Sequence, residues 1–443
     1  MTSPINRNDL LGKQWKCLCG QTHIVPTRYV IIKAGALENL PFIIGQYAKH
    51  TDPILLVSDQ ITHKIAGTKL VEKLRTKYKN INEFVIKEKK PVADDRTADF
   101  LLSQINNEKL LISCGSGTIT DLVKYAAFKK NIPFVAVATA PSMNGYASGI
   151  VALTCDGLKT TVTSAPAVAV IADIDLLSQA PIEMTRAGLG DLISKPVSNA
   201  DWKLASLIKH EHFCDLPYKI VADLESVYIN DAALLRKGDK KIIAALAEGL
   251  VFSGISMVIA GSSAPASGAE HLISHTIDIK SALNGVDHDY HGTQVGVATI
   301  VTAGLYERIC SFDSRNIDWK ETEKRCQRDK IDDIKKHWGN VSDSVMKEYD
   351  KKRMSWEDKK QELLSVVDQW DLIINQIKKF VWSKAKIEKA LKDAGAKTDY
   401  SQINLTRDEF VKAVVMASTM RSRYTVLDLA EDLGILEEFV HSI

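Results

Sequence analysis

Short apolar runs alternate with amphipathic stretches through the first 182 residues. YVIIKAG (29–35), PILLVSD (53–59), KLLISCGSGT (109–118) and IPFVAVATAPS (132–142) read as strands. AVAVIADIDLLSQAP (167–181) reads as a strand and then a short helix ended by proline. Between them, ITDLVKYAAFKK (119–130) carries its apolar residues at helical spacing. This alternation predicts an α/β domain over residues 1–182. Beyond it the texture changes. Glycine-interrupted helical periodicity over 184–213 leads into long amphipathic segments at 240–260, 293–311, 372–393 and 406–438, and strand signals become scarce. The pattern predicts a second, all-helical domain over 183–443. The stretch 313–362 is dense in Lys, Asp, Glu and Arg, which reads as surface helices or an insert rather than a functional charge patch. LVFSGISMVIAGSSAPASG (250–268) is apolar, but it is short, rich in Gly and Ser and lacks flanking charge asymmetry, so it predicts a buried helix and no membrane span.

A chain of 443 residues can bury a large core in two or three domains. Its 57 Lys and Arg against 55 Asp and Glu argue against a nucleic-acid partner, which usually needs a basic excess. A small charged substrate needs only a local patch. MTSPINRNDLLGKQWKC has no apolar core of a signal peptide, and seven cysteines in no framework spacing fit a reducing cytoplasm. Two of them stand in CLCGQTH (17–23) with His23. A zinc site usually wants C-x₂₋₄-C and four ligands. With C-x-C spacing and no fourth partner close in sequence, Cys17, Cys19 and His23 are read as a turn before a strand.

LLISCGSGTITDLVKYAAF (110–128) combines an apolar strand, a small-residue turn and a helix. Gly115 and Gly117 let backbone amides approach a bound group, and the helix points its first N–H groups at an anion. The turn lacks the third glycine of G-x-G-x-x-G and also fits any tight strand-to-helix connection. Two neighbours add weight. Asp59 ends the second strand, where a carboxylate accepts hydrogen bonds from a ribose diol and repels a 2′-phosphate, and ATAPSMNGYAS (138–148) ends the fourth in small polar residues.

PASGAEHLISHTIDI (265–279) carries His271 and His275 one helical turn apart, with Glu270 just before them. This is not the H-E-x-x-H of metalloproteases. A catalytic divalent metal wants three His or carboxylate ligands and an open position. Asp191 in GLGDLISK and His291 in DYHGTQVGVAT are further candidates. Spacing alone does not join them.

Taken in order, these motifs resemble the iron-containing alcohol dehydrogenase and dehydroquinate synthase superfamily, and within it the sn-glycerol-1-phosphate dehydrogenases. The resemblance runs from CGQTHIVPTRYVIIKAGAL to MRSRYTVLDLAEDLG and covers 313–362 poorly. It implies a Rossmann-like dinucleotide-binding α/β domain followed by an all-α domain, the dehydroquinate synthase-like fold. GSGTITDLVKY matches the family's GGGS-x-x-D-x-x-K turn, which implies NAD(P) contacts from Gly115, Ser116, Gly117, Thr118 and Asp121. TAPS implies contacts from Thr139 and Ser142, and Ser148 follows. Asp59 matches the position favouring NAD over NADP. Asp191, His271 and His291 match the three metal ligands, for zinc, nickel or iron, and His275 matches a substrate contact. Where the family reads S-x-D-G, this chain reads SMNG, so Asn144 replaces a substrate-contacting aspartate. An amide still hydrogen-bonds but brings no charge and no proton acceptor.

The implied reaction is metal-dependent hydride transfer between NAD(P)H and C2 of dihydroxyacetone phosphate. It gives a small phosphorylated substrate and, by resemblance, a dimer or higher homo-oligomer. Lys195, one turn after Asp191, is the candidate for the phosphate, with a surface lysine as the equal alternative. A polyol dehydrogenase, a sugar-phosphate cyclase and a nucleotide-binding homologue without chemistry are the competing expectations, the last motivated by Asn144.

Overall fold

Nearly continuous apolar runs are what a parallel sheet covered on both faces requires, and the central strands carry them. The computed structural model describes residues 5–155 and 158–443. Its strands are β1 (Gln14–Lys16), β2 (Thr22–Ile24), β3 (Tyr29–Lys33), β4 (Ile54–Asp59), β5 (Ile81–Ile86), β6 (Leu110–Gly115), β7 (Phe134–Ala138), β8 (Ile150–Cys155), β9 (Leu158–Thr163) and β10 (Ala169–Asp173). Six form one sheet in the order β3-β10-β7-β6-β4-β5, every pair parallel. β1–β2 and β8–β9 are antiparallel hairpins.

All five expected strands are present, with trimmed ends. The run 109–118 stops being a strand at Gly115, and a helix begins at Gly117. The run 132–142 is a strand only to Ala138. β5 was not anticipated, because as an edge strand paired only with β4 it mixes Asn and Glu into its apolar positions. Alternate residues of the central strands face one core, where Leu56, Ile112, Val135 and Ile171 meet Leu40, Ile43, Leu70 and Leu74.

Compactness does not divide the chain after residue 182. One unit comprises Met1–Leu192 with Asp215–Ser263, and the other Ile193–Cys214 with Ala264–Ile443. The physical reason is the helix Lys240–Ala260, which buries residues on every turn. It packs on β2, β3 and the helices Ile174–Leu177, Ile182–Leu192 and Leu216–Asn230, and so draws these helices into the α/β unit. The helix is long and apolar enough to cross a membrane, yet most of it is buried within this unit, as a core helix would be.

Among the described residues the second unit holds helices and no strand. The charged stretch 313–362 forms surface helices such as Ile331–Trp338 and Trp356–Asp368, which bury Ile334, Trp338 and Leu363 and expose their charges. Trp338 donates its indole N–H to Thr419 Oγ1 at 3.0 Å.

A buried carboxylate ties this unit together. Asp201 accepts from the Tyr306 hydroxyl (2.5 Å) and from the backbone N–H groups of Ala269 (2.7 Å) and Val426 (2.8 Å). Burial first, and then the Glu270 carboxylate, push its pKa up to about 7, with Tyr306 and the two amides opposing them. Arg423 is the cation facing both acids. The folded chain therefore holds a proton on Asp201 through a range where an unfolded aspartate has lost it. This contribution to stability is complete below about pH 4 and is lost as pH rises to about 7. His337, pushed down to about 4 by burial and by Lys280 and Lys412, gives the opposite slope below its ordinary value of 6.5. The test is thus a difference between chains. Between pH 5 and pH 8, Asp201→Asn should lose less stability than the parent by ~2–4 kcal/mol in urea unfolding. Parallel pH curves for the two chains would rule this out.

Candidate active site

The sheet order creates a crevice. From β4 the chain moves outward to β5, then returns to place β6 on the other side of β4 and continues to β7. The connections after β4 and β6 therefore leave in opposite directions, and open α/β sheets bind ligands at such switch points. Ser58 pairs with Cys114, so Asp59 and Gly115 leave the sheet side by side. These are the two features that the sequence picked out separately. Asp59 caps the helical turn after it, and its Oδ1 accepts from the N–H groups of Ile61 (2.8 Å) and Thr62 (2.7 Å). Both of these bonds fall on the same carboxylate oxygen. Ser116 heads the helix Gly117–Lys130 without a side-chain cap bond, and Ser116, Gly117 and Thr118 are partly exposed. The N–H groups of that first turn are the donors suited to a pyrophosphate.

Facing this turn is the loop after β7, which carries Thr139, Ser142, Asn144 and Ser148. Thr139 N–H donates to Gly115 O at 3.2 Å, joining the two connections. Ser142 hydrogen-bonds Tyr146, whose hydroxyl also donates to Ala140 O at 2.6 Å. The loop is anchored by a residue not singled out from sequence, Lys124. Its fully buried ammonium donates to Asp121 Oδ1 (3.2 Å), Gly145 O (2.5 Å), Ser148 Oγ (3.0 Å) and Ile150 O (3.0 Å). Burial lowers its pKa, and Asp121 pulls it back up. Asp121 and Ser148, expected as cofactor contacts, are therefore partners of this lysine. The lysine of the matched D-x-x-K turn was the available signal.

Two glycines bring helices against the same loop. A Cβ at Gly188 would stand 1.8 Å from Pro141 O, and one at Gly254 would stand 2.7 Å from Asn144 O. The first approach seats the helix Ile182–Leu192, and with it Asp191. Asn144 then grips that carboxylate twice: its N–H donates to Oδ2 at 2.9 Å and its Nδ2 to Oδ1 at 3.0 Å. Asp191 is buried and held at both oxygens. Asn144 is thus more than a chargeless stand-in for an aspartate. It orients the residue expected to bind metal.

In the second unit the helices Ala269–Asn284 and His291–Cys310 pack together and gather three imidazoles. Ring centroids of His271 and His291 are 5.2 Å apart, and those of His275 and His291 are 5.1 Å apart and nearly parallel. His271 Nδ1 lies 2.7 Å from Glu270 Oε1, which also accepts from Gly268 N–H at 2.9 Å. His291 Nδ1 lies 3.0 Å from Ser274 Oγ. Such contacts at Nδ1 turn Nε2 into the ligating nitrogen. Asp278, not anticipated from sequence, joins His275 and His291 in a group whose ligand atoms all lie within 4.8 Å of one another. Lys195 is no surface lysine: it is buried and donates to Ala266 O at 3.0 Å and Ser194 Oγ at 3.2 Å.

Replacing Lys124 by methionine removes the ammonium shared by Asp121, Gly145, Ser148 and Ile150, and leaves the Ser148 hydroxyl as the side-chain donor to both carbonyls. We expect Lys124→Met to lose ~2–4 kcal/mol in urea unfolding and to weaken NADH binding measured by fluorescence titration. An unchanged midpoint and affinity would mean that the loop is held by other contacts.

The family model described as iron-containing alcohol dehydrogenase matches residues 31–181. A glycerol-1-phosphate dehydrogenase (NAD(P)+) of Pyrococcus horikoshii is 35% identical over 299 residues, covering 66% of this chain and 80% of that protein. One from Bacillus subtilis is 34% identical over 274 residues, covering 60% and 69%. Among solved structures, the maleylacetate reductase of Agrobacterium tumefaciens superposes with a TM-score of 0.62 at 12% identity, covering 95% of this chain and 96% of that one. A probable glycerol dehydrogenase of Sinorhizobium meliloti gives 0.59 at 14%, covering 94% and 98%, and at such identities the likeness is one of fold alone. With the switch-point crevice in place and sequence identity of this extent, the chain belongs to the glycerol-1-phosphate dehydrogenase family, oxidoreductases of the iron-containing alcohol dehydrogenase type.

Proposed function

We propose that this chain interconverts dihydroxyacetone phosphate and sn-glycerol-1-phosphate with NAD(P)H as hydride donor. The observation that carries the reading is the side-by-side exit of Asp59 and the Gly115 turn at the switch point of a chain from this family. The first turn of the helix Gly117–Lys130 would hold the pyrophosphate, and Asp59 the ribose diol. Asp59 would also disfavour a 2′-phosphate, which makes NAD the preferred cofactor. Lys124 keeps the Thr139–Ser148 loop closed against the cofactor turn.

The donor chemistry fits a divalent transition metal. Asp191 offers a carboxylate already oriented by Asn144, and His271 and His291 each have Nδ1 engaged. One carboxylate and two imidazoles suit zinc, nickel or iron. When bound by these three residues, the metal would supply Lewis acidity toward the C2 carbonyl. NAD(P)H held by Asp59 and the first turn of the helix Gly117–Lys130 would supply the hydride for C2 of the ketone, and the C2 oxygen would take its proton from water. His275 and Asn144 would meet the hydroxyl end of the substrate, and the buried ammonium of Lys195 is the candidate partner for the phosphate.

The deciding assay is NADH oxidation after metal stripping and readdition of zinc, nickel or ferrous iron. Dihydroxyacetone phosphate is compared with dihydroxyacetone and glycolaldehyde. Turnover confined to the phosphorylated ketone is expected, and turnover confined to the others would move the chain to the polyol dehydrogenases. Asp191→Ala should cut kcat by roughly 10³-fold or more while NADH binding stays within a few-fold of the parent. A fully active Asp191→Ala chain would refute the ligand assignment. Asn144→Asp sets a second carboxylate against Asp191. We expect it to cost the metal-free protein ~1–3 kcal/mol, recovered on adding metal, with thermal melts as the readout.

A further inference from the structure

The CLCGQTH segment has no part in the chemistry above, and the structure places its polar side chains together. β1 and β2 form a short antiparallel hairpin with Trp15 opposite His23. The chain between them is a tight turn. Cys17 N–H donates to Gln21 O at 2.9 Å, and Gly20 N–H donates to Cys17 O at 3.0 Å. Gly20 stands at φ +88°, a conformation that side chains rarely adopt, so the chain reverses immediately after Cys19. Leu18 at the tip is fully exposed, while Cys17 and Cys19 on either side of it are half-buried and His23 is buried.

Cys19 Sγ lies 3.3 Å from His23 Nε2. The two sulfurs and a ring nitrogen of His23 all lie within 4.8 Å of one another. Tetrahedral ligands about 2.3 Å from zinc through sulfur and about 2.0 Å through nitrogen stand roughly 3.5–3.8 Å apart. Side-chain movements of up to about 1 Å would therefore close these three donors around one ion. A turn before a strand accounts for the glycine. It does not account for two thiols and a buried imidazole converging across it.

We propose that Cys17, Cys19 and His23 form a thiolate-rich structural metal site for a soft divalent cation of the zinc type, separate from the Asp191 and histidine ligand set. Binding converts two thiols to thiolates and releases two protons to solvent, and the imidazole binds in its neutral form. The physical role is a staple. Strands of three residues are too short to hold a hairpin by their ladder alone. β2 packs on the helix Lys240–Ala260 in the same unit, so a metal here would secure that contact.

Cobalt separates this site from the other, because only thiolate ligands give an intense near-ultraviolet charge-transfer band. The full-length protein, purified under reducing conditions and loaded with cobalt(II), should show that band. The band should be lost in Cys17→Ser and Cys19→Ser and kept in Cys326→Ser and Asp191→Ala. As isolated, the parent should release about one more zinc per chain to a thiol-blocking mercurial than Cys19→Ser does, read with a chromogenic chelator. Cys19→Ser should keep NADH-linked turnover within about twofold of the parent and melt several degrees lower. A folded parent without the band overturns the proposal, whether or not the variants fold. So does a band that survives in the Cys17→Ser/Cys19→Ser double variant, or a Cys17–Cys19 disulfide in the freshly isolated protein.

Discussion

A single ammonium withdrawn from water organises the α/β unit. Lys124 sits one turn beyond Asp121 on the helix that leaves the Gly115 turn, and its Nζ is shared among Asp121, Ser148 and the carbonyls of Gly145 and Ile150. A buried cation is tolerated only when its donors are met. Here they are met by loop atoms, so the loop cannot move away without stranding the charge. Desolvation thus acts as a positional constraint on the segment carrying Thr139, Ser142, Asn144 and Ser148.

The same constraint reaches Asp191 through Asn144. The loop held by Lys124 presents a backbone N–H and a side-chain amide to the two carboxylate oxygens. Gly188 allows the Asp191 helix to come that close. In the helical unit each candidate histidine is likewise oriented by a neighbour: Glu270 for His271 and Ser274 for His291. Glu270 stands in turn in a buried network with Asp201 and Arg423. Charges out of water therefore lie behind the candidate ligands in both units, and each is tied to backbone N–H groups or carbonyls that fix its place.

Asn144 shows how a departure from the family pattern is to be read. By residue type alone it removes a negative charge from a substrate contact. In place, its amide supplies the donor that a second carboxylate beside Asp191 would lack. The CLCGQTH segment shows the converse. By spacing it looked like an ordinary turn, because metal-site patterns count residues along the chain. A hairpin reversing at Gly20 brings the donors together across the turn instead.

The sequence alone determined the parallel α/β sheet, the helical character of the remainder, the strand-turn-helix at Gly115 and the buried helix that ends at Ala260. These rest on local periodicity and on small residues at strand ends, which are written along the chain. It also supplied the motif residues from Asp59 to His291, because their order along the chain is the family signature. Tertiary structure decided the rest. Compactness assigned residues 215–263 to the α/β unit, because an apolar helix goes where its whole circumference can be buried. The register of β4 with β6 set Asp59 beside Gly115. Burial turned Lys124, Lys195 and Asp201 from ordinary polar letters into fixed internal charges or proton holders. Sequence records which groups exist, but their solvation and mutual distance, which set their chemistry, arise only when distant segments pack.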